Sequence, residues 1–155
     1  MSRGSPSKMN TAQRRNILFI AIIFLGVTAF SLFRGGEPME LAFNDDEMTI
    51  TGPDGAPFAV TIPYQDIQSV FESDPLNALE LGVRLEGLDT DRCRFGTWHN
   101  DAYGDYTLCA SPRVSNYIVL ETAGGVVAFN YENADSTHHL YLALVDLLRD
   151  YGVGV

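Results

Sequence analysis

Two cysteines carry the most specific chemistry in this sequence. If Trp98 and Gly104 face each other across the loop 99–103, an antiparallel hairpin pairs Cys93 with Cys109. Directly opposed residues have Cα atoms about 4.5 to 5.5 Å apart, which is within the range of a disulfide. We therefore predict a structural disulfide between Cys93 and Cys109 that contributes about 3 kcal/mol to stability. Two free buried thiols are the alternative, because a slip of one residue would turn one cysteine to the opposite face.

Three histidines, His99, His138 and His139, are the residues that would serve a metal ion or a proton transfer. His138 and His139 are adjacent in the first turn of a predicted helix, so their side chains point about 100° apart and do not readily share one ion. His99 lies near Asp101 in the predicted loop, where a solvated turn accounts for both. No positioned nucleophile completes a catalytic site. We therefore predict no catalytic residue and no enzyme activity.

Two acidic turns, residues 44–47 and 89–91, have the oxygen-rich composition of calcium loops. Neither follows the twelve-residue pattern with its glycine and closing glutamate, so both are interpreted as polar turns. A weak extracellular calcium site is the alternative for these carboxylates. The sequence also contains no glycine-rich phosphate loop, zinc-type cysteine spacing or nucleophile elbow. It therefore predicts no metal site and no cofactor.

The first element of the chain is an uncharged apolar segment at residues 17–33, which follows a basic tail at residues 1–16. A helix of this length just spans a thin hydrocarbon core, at 1.5 Å for each residue. The tail carries four basic residues and no acid, whereas only Arg34 follows the span before the acids begin at Glu37. The positive-inside rule then places the N-terminus in the cytoplasm. We predict a single-pass anchor in the cell membrane with an extracytoplasmic domain, where cysteines can be oxidised.

Two alternatives to the anchor follow from the same segment. The small residues Val27, Thr28 and Ala29 resemble a signal peptidase site, and cleavage near Ala29 would release the domain. Against cleavage, the apolar run continues through Phe33, whereas a typical cleavage region turns polar before the cut. A buried core helix would need an amphipathic stripe, which this segment lacks. The uncleaved anchor is therefore the favoured interpretation.

The remainder of the chain has room for one domain. After a linker at residues 34–38, residues 39–152 form a unit of ordinary domain size. The chain is 46% apolar and 11% aromatic, which excludes a disordered protein. Residues 17–155 hold six arginines against twenty acids, a net charge near −14. Such a field repels the phosphates of nucleic acids and anionic lipids, so we predict that the domain does not bind nucleic acid.

Short runs of alternating polarity between turn residues predict a mainly β domain of about seven strands. The turns are 44–46, 52–55 and 123–125, and each is rich in Asn, Asp or Gly. Nine candidate strands, some of which are expected to merge or fail, lie near 39–43, 47–51, 58–62, 67–71, 79–85, 92–98, 106–110, 116–122 and 126–131. In 116–122 the alternation does not settle which face is inward.

The last segment changes to the period of a helix. Leucines, valine and tyrosines between Leu140 and Tyr151 form one broad apolar stripe, which is typical of a helix that packs on a core. Asp135 or Ser136 is predicted to cap the first amides, and Gly152 is predicted to end the helix in the left-handed conformation. We therefore expect one amphipathic C-terminal helix.

The order of these elements, strands followed by one closing helix, resembles the bacterial pleckstrin-homology-like (PH-like) domain family. Residues 60–70, with the sequence VTIPYQDIQSV, resemble a strand region of that family, and 96–104 resemble its glycine-punctuated hairpin. Residues 117–122 and 126–130 are similar to its final hairpin. The resemblance implies a curved β-sandwich or open barrel of about seven strands, plugged at one end by the helix. It also implies a layout in which an anchor precedes the domain.

The resemblance implies no catalytic residues. Relatives that hold phosphoinositides use a basic pocket, whereas Arg84, Arg92, Arg94 and Arg113 are scattered here among many acids, so that lipid role is not carried over. We expect a non-catalytic protein-interaction module, tethered by its transmembrane helix, that presents an edge strand or a hairpin to another envelope protein. The alternative is a domain that binds a small ligand or a metal ion, either anchored or secreted.

Overall fold

The computed structural model describes residues 39–53, 59–73 and 80–153. The elements in chain order are β1 (Glu40–Phe43), β2 (Glu47–Thr51), β3 (Ala59–Pro63), a 3₁₀ turn (Tyr64–Asp66), β4 (Ile67–Ser73), β5 (Val83–Asp89), β6 (Arg94–Asn100), β7 (Gly104–Ala110), β8 (Tyr117–Thr122), β9 (Gly125–Phe129) and α1 (Ala134–Arg149). The predicted mainly β fold with a closing C-terminal helix is confirmed. It has nine strands among the described residues, rather than about seven.

The predicted anchor at 17–33 and the linker at 34–38 lie outside the described residues. Among the residues that are described, no helix has the length and apolar character needed to cross a membrane.

The strands form two sheets. One has three strands in the order β1-β2-β3, and the other has six in the order β4-β8-β9-β7-β6-β5. Neighbouring strands are antiparallel except β7 and β9, which run parallel. Pro63 ends β3, and the 3₁₀ turn leads directly into β4, so the chain passes from one sheet to the other within a few residues.

Both faces of the six-stranded sheet are buried at its central strands β7, β8 and β9. One of them, called the aromatic face, is formed by Trp98, Tyr106, Leu108, Ala110, Tyr117, Val119 and Ala128. The opposite face, called the helix face, carries Ile118 and Leu120, which are also fully buried. The alternation in β8 could not settle which set is inward because both sets are.

Helix α1 packs on the helix face of the sheet, beside β4 and β8. Its contribution to the core is centred on Leu144 and Leu148, which are inaccessible to solvent. The predicted caps Asp135 and Ser136 are wrong, because Asn133 accepts the hydrogen bond from the Ser136 amide at 2.9 Å. The observed cap precedes the predicted positions because the helix begins at Ala134, before the apolar stripe begins at Leu140.

The C-terminal end of α1 follows the prediction. Gly152 has φ 73°, a left-handed conformation that glycine adopts without strain. Its amide donates to Arg149 O at 3.1 Å, and the Val153 amide donates to Leu148 O at 3.4 Å, so two of the last carbonyls are satisfied.

The hairpin β6–β7 has a different register from the predicted one. The structure pairs Asn100 with Gly104, whereas the prediction paired Trp98 with Gly104. The loop is therefore three residues rather than five, and Cys109 lies opposite Phe95 instead of Cys93. The predicted register is wrong because hydrophobic alternation is preserved by a shift of two residues, so the sequence pattern does not distinguish the two alignments.

Strand β5 was predicted four residues too early. It crosses β6 where Gly87 faces Gly96, and both have positive φ values, 107° and 138°. A Cβ atom on Gly87 would lie 2.1 Å from Phe95 O, and one on Gly96 would lie 2.2 Å from Glu86 O. Two facing glycines are therefore required for this close approach of the two backbones.

Candidate interaction surface

Strand β5 lies at the edge of the six-stranded sheet, with β6 as its neighbour. An edge strand keeps a row of backbone N–H and C=O groups for which the sheet supplies no partner. Among the described residues, no strand pairs with the outer side of β5. Two large apolar side chains stand on this edge, Val83 with 60% of its surface exposed and Leu85 with 54%. Such an edge is a template for the addition of another strand.

The pairing of β5 with β6 is irregular near its first residues. Arg84 faces Trp98 and Glu86 faces Thr97, so one extra residue is inserted between them as a bulge. A bulge increases the local twist and shortens the stretch that can accept a new strand. The segment available for regular pairing is therefore short.

Four of the five arginines in the described residues lie in β5, in the turn that follows it, at the start of β6 or beside that turn. We define the β5 rim as residues 83–94 together with Arg113, whose guanidinium is 3.8 Å from the carboxylate of Asp91. The rim contains Arg84, Arg92, Arg94 and Arg113 against Glu86, Asp89 and Asp91. All the other described residues together hold one arginine against fourteen acids. Three of these arginines lie close together in the chain, within residues 84–94, and the ion pair with Asp91 brings Arg113 to them from the segment after β7.

Arg94 connects the rim to the aromatic face. Its Nε donates to Asp89 Oδ1 at 3.1 Å, and its guanidinium lies 6.0 Å from the centre of the Trp98 ring. Burial raises the pKa of Tyr117, and the nearby Arg94 guanidinium opposes that rise. Arg94 is thus committed to internal contacts.

Arg84 and Glu86 differ from Arg94. Both side chains are exposed, and neither has an ion pair among the described residues. Arg92 is likewise exposed and has no ion pair among the described residues, so the rim offers two unpaired arginines and one unpaired carboxylate beside the exposed Val83 and Leu85.

The two predicted disulfide residues lie on the same side of the β6–β7 hairpin but are not directly opposed. Cys109 is buried opposite Phe95, and Cys93 is half-buried two residues before Phe95, which makes the cysteines diagonal neighbours. Both are free thiols in the structure. Burial raises the pKa of each thiol, and the proximity of Cys93 raises that of Cys109 further. The disulfide itself stays a prediction.

The histidines have separate surroundings. Nδ1 of His99 donates to Asp105 at 2.7 Å on the exposed part of the hairpin, rather than lying in a loop with Asp101. Nδ1 of His138 donates to Glu72 at 2.7 Å. The ring centres of His138 and His139 are 6.2 Å apart.

Glu72 is held from two sides, because Asn116 Nδ2 donates to its other oxygen at 2.6 Å. The same Asn116 nitrogen also donates to Ala134 O at 3.0 Å. The hydrogen bonds of Glu72 and Asn116 therefore connect the start of α1 to β4. The described part of the chain contains no group of three or more His, Cys, Asp or Glu residues arranged to hold a metal ion.

The two acidic turns have structural roles. In the first, the carbonyl oxygens of Asn44 and Asp45 accept hydrogen bonds from the hydroxyl groups of Tyr64 and Tyr151, at 3.1 and 2.9 Å. In the second, the Thr90 hydroxyl accepts from the Cys93 amide at 2.9 Å. The first turn thus joins the three-stranded sheet to the residues that follow α1.

Comparison with known proteins gives one match. A family model described as "Bacterial PH domain" matches residues 39–139, a range that begins just before β1 and ends within α1. No curated protein and no solved structure matches the chain.

Proposed function

Because the chain belongs to the bacterial PH domain family, we propose that it is a membrane-anchored, non-catalytic interaction module that presents its β5 rim to another protein of the cell envelope. The observation that carries this proposal is the exposed edge of β5 with Val83 and Leu85 on it. Unpaired backbone groups supply affinity for an added strand, and neighbouring side chains supply specificity.

The charge distribution supports the same surface. With one arginine against fourteen acids elsewhere in the described residues, the rest of the domain repels acidic partners. The rim holds four arginines and three acids. Of the described surface, it is therefore the part where contact with an acidic partner costs the least electrostatic energy. Interleaved acids also make the rim a poor site for a phosphoinositide headgroup, which needs several uncompensated cations.

A membrane anchor makes a weakly binding surface effective. The proposal assigns residues 17–33 to a single transmembrane helix with the basic tail in the cytoplasm, supported by the absence of charge in that segment and the four basic residues before it. A short edge strand binds weakly by itself, and confinement to one membrane raises the local concentration of both partners.

A photocrosslinking amino acid at position 83 tests the proposal in intact cells. The matched control is position 142, because Leu142 is a similar exposed residue, 46% accessible, on α1. We expect a discrete crosslinked species from position 83 and little or none from position 142. Equal labelling at the two positions, or none at either, would contradict the assignment of the rim as the binding surface.

A further inference from the structure

The charge distribution of the domain restricts how two copies of the chain can meet. Outside the β5 rim, the described residues carry a net charge of −13, so two copies that approach by any other surface repel each other. At the rim, four arginines and three acids leave a net charge of only +1. The rim is therefore the surface at which two identical domains can touch at the lowest electrostatic cost.

The rim also carries charges of both signs, which allows it to pair with the same surface of a second copy. In a two-fold arrangement each residue of one copy meets the same set of residues of the other, so a surface that carries both signs can pair its positive groups with negative groups. Arg84 and Glu86, which have no ion pair among the described residues, are two such groups. An edge made only of arginines would not have this property.

The apolar part of the rim favours the same arrangement. Antiparallel pairing of two β5 edges about a two-fold axis brings Val83 and Leu85 of one copy close to their equivalents, which removes the most exposed large apolar side chains of the described domain from water. The bulge between Arg84 and Glu86 limits this pairing to a short stretch. The contact is weak for that reason and depends on tethering in a shared membrane.

We infer that the partner of the β5 rim is a second copy of this chain, bound edge to edge through β5. The inference rests on the proposed function, because it names the occupant of the same surface. It differs from that proposal in requiring a symmetric contact between identical residues.

Oxidative crosslinking of the full-length chain in its membrane tests the contact. A Leu85→Cys variant places identical thiols near the two-fold axis, and a Leu142→Cys variant is the matched control on α1. The unmodified chain controls for Cys93 and Cys109. We expect a band of twice the chain's mass from Leu85→Cys, several-fold stronger than from Leu142→Cys or the unmodified chain. Equal dimer bands in all three would overturn the inference.

Charge-swap variants give a second test that only self-association can satisfy. Two differently tagged copies are co-expressed, one with Val83→Asp and Leu85→Asp and the other with Val83→Lys and Leu85→Lys. After chemical crosslinking in the intact membrane, we expect co-precipitation of unlike variants but not of like variants, since like variants bring equal charges together at the symmetry axis. Unchanged melting temperatures show that the variants are folded.

The outcomes separate the two proposals. If position 83 crosslinks to a species that is not twice the chain's mass and the charge-swap pairs do not rescue each other, the partner is a different envelope protein and the inference fails while the proposed function stands. If position 83 gives no crosslink above the position 142 control, both fail.

Discussion

The side-chain amide of Asn130 holds the backbone of Ser111 at both of its polar groups. The Ser111 amide donates to Asn130 Oδ1 at 2.7 Å, and Asn130 Nδ2 donates to Ser111 O at 3.0 Å and to Val114 O at 3.3 Å. Asn130 is completely buried. It therefore replaces the partners that a strand would supply to the chain as it leaves β7.

Replacing this amide is expected to be costly. Asn130→Ala leaves the Ser111 amide and two carbonyl groups without their partner in a buried place, and we expect the free energy of unfolding to fall by about 2 to 4 kcal/mol. Asn44→Ala, at an exposed turn position, is the control and should have little effect. Urea unfolding followed by tryptophan fluorescence measures both. If Asn130→Ala lowers the free energy of unfolding no more than the control does, water replaces the amide.

The N-cap of α1 is Asn133 in the structure, whereas the sequence pattern predicted Asp135 or Ser136. Asn133→Ala removes the acceptor for the Ser136 amide and should lower the free energy of unfolding by about 1 kcal/mol. Ser136→Ala should be close to neutral, because the Ser136 side chain is not the cap. Thermal unfolding of the two variants measures the difference. The reverse order of effects would restore Ser136 as the cap.

The contact of Glu72 with His138 should contribute to the attachment of α1. Glu72 is mostly buried, and its carboxylate accepts from His138 Nδ1 and Asn116 Nδ2, so Glu72→Ala should lower the free energy of unfolding by about 1 to 2 kcal/mol. A double-mutant cycle with His138→Ala isolates the pair, and we expect a coupling energy of about 0.5 to 1 kcal/mol. The pair His99 and Asp105 is the control, because its carboxylate is far more exposed than that of Glu72. A coupling no larger than that of the control would assign Glu72 to Asn116 alone.

Alkaline pH should destabilise the domain through its buried tyrosines. Burial raises the pKa of Tyr106 from 10.0 to about 12, with Tyr117 and Tyr103 adding to the rise and Arg94 opposing it. Burial raises the pKa of Tyr131 to about 12 as well. The unfolded chain then ionises first, so the stabilisation is complete below pH 10 and is lost as the pH rises from about 10 to about 12.

Urea unfolding across that pH range measures this effect. Tyr106→Phe should reduce the pH dependence, although it also removes the hydrogen bond from the Tyr106 hydroxyl to Leu81 O and so lowers stability at neutral pH. A pH dependence identical in the variant would mean that Tyr106 does not ionise differently in the two states.

The cysteines test the disulfide and the orientation together. We expect Cys93 and Cys109 to be bridged in the chain recovered from cells, because they are diagonal neighbours in the structure and the proposed extracytoplasmic location is oxidising. In intact cells a membrane-impermeant thiol reagent should then label the chain only after reduction. The mass of the mature chain shows whether the N-terminal segment is retained.

Other labelling patterns have distinct meanings. Labelling of both thiols after unfolding without reductant would dispose of the bridge. Labelling that requires lysis of the cells would place the domain in the cytoplasm and overturn the proposed orientation.

The spacing of apolar residues along the chain was sufficient to predict the fold class. Alternating polarity between turn residues predicted a mainly β domain, and the apolar stripe between Leu140 and Tyr151 predicted α1. Gly152 was identified as the end of the helix because its requirement, a left-handed backbone, is local. The residues that resemble the PH-like family lie within the range that its model matches.

Only the tertiary structure decided which distant residues meet. The register that puts Cys109 opposite Phe95, the ion pair that brings Arg113 to Asp91, and the position of β5 at the sheet edge all depend on contacts between separate segments. A shift of two residues preserves every alternation of polarity, so the sequence pattern is the same for several registers. The choice among them comes from close packing of the whole core, including the glycine crossing of β5 and β6, which no single segment encodes.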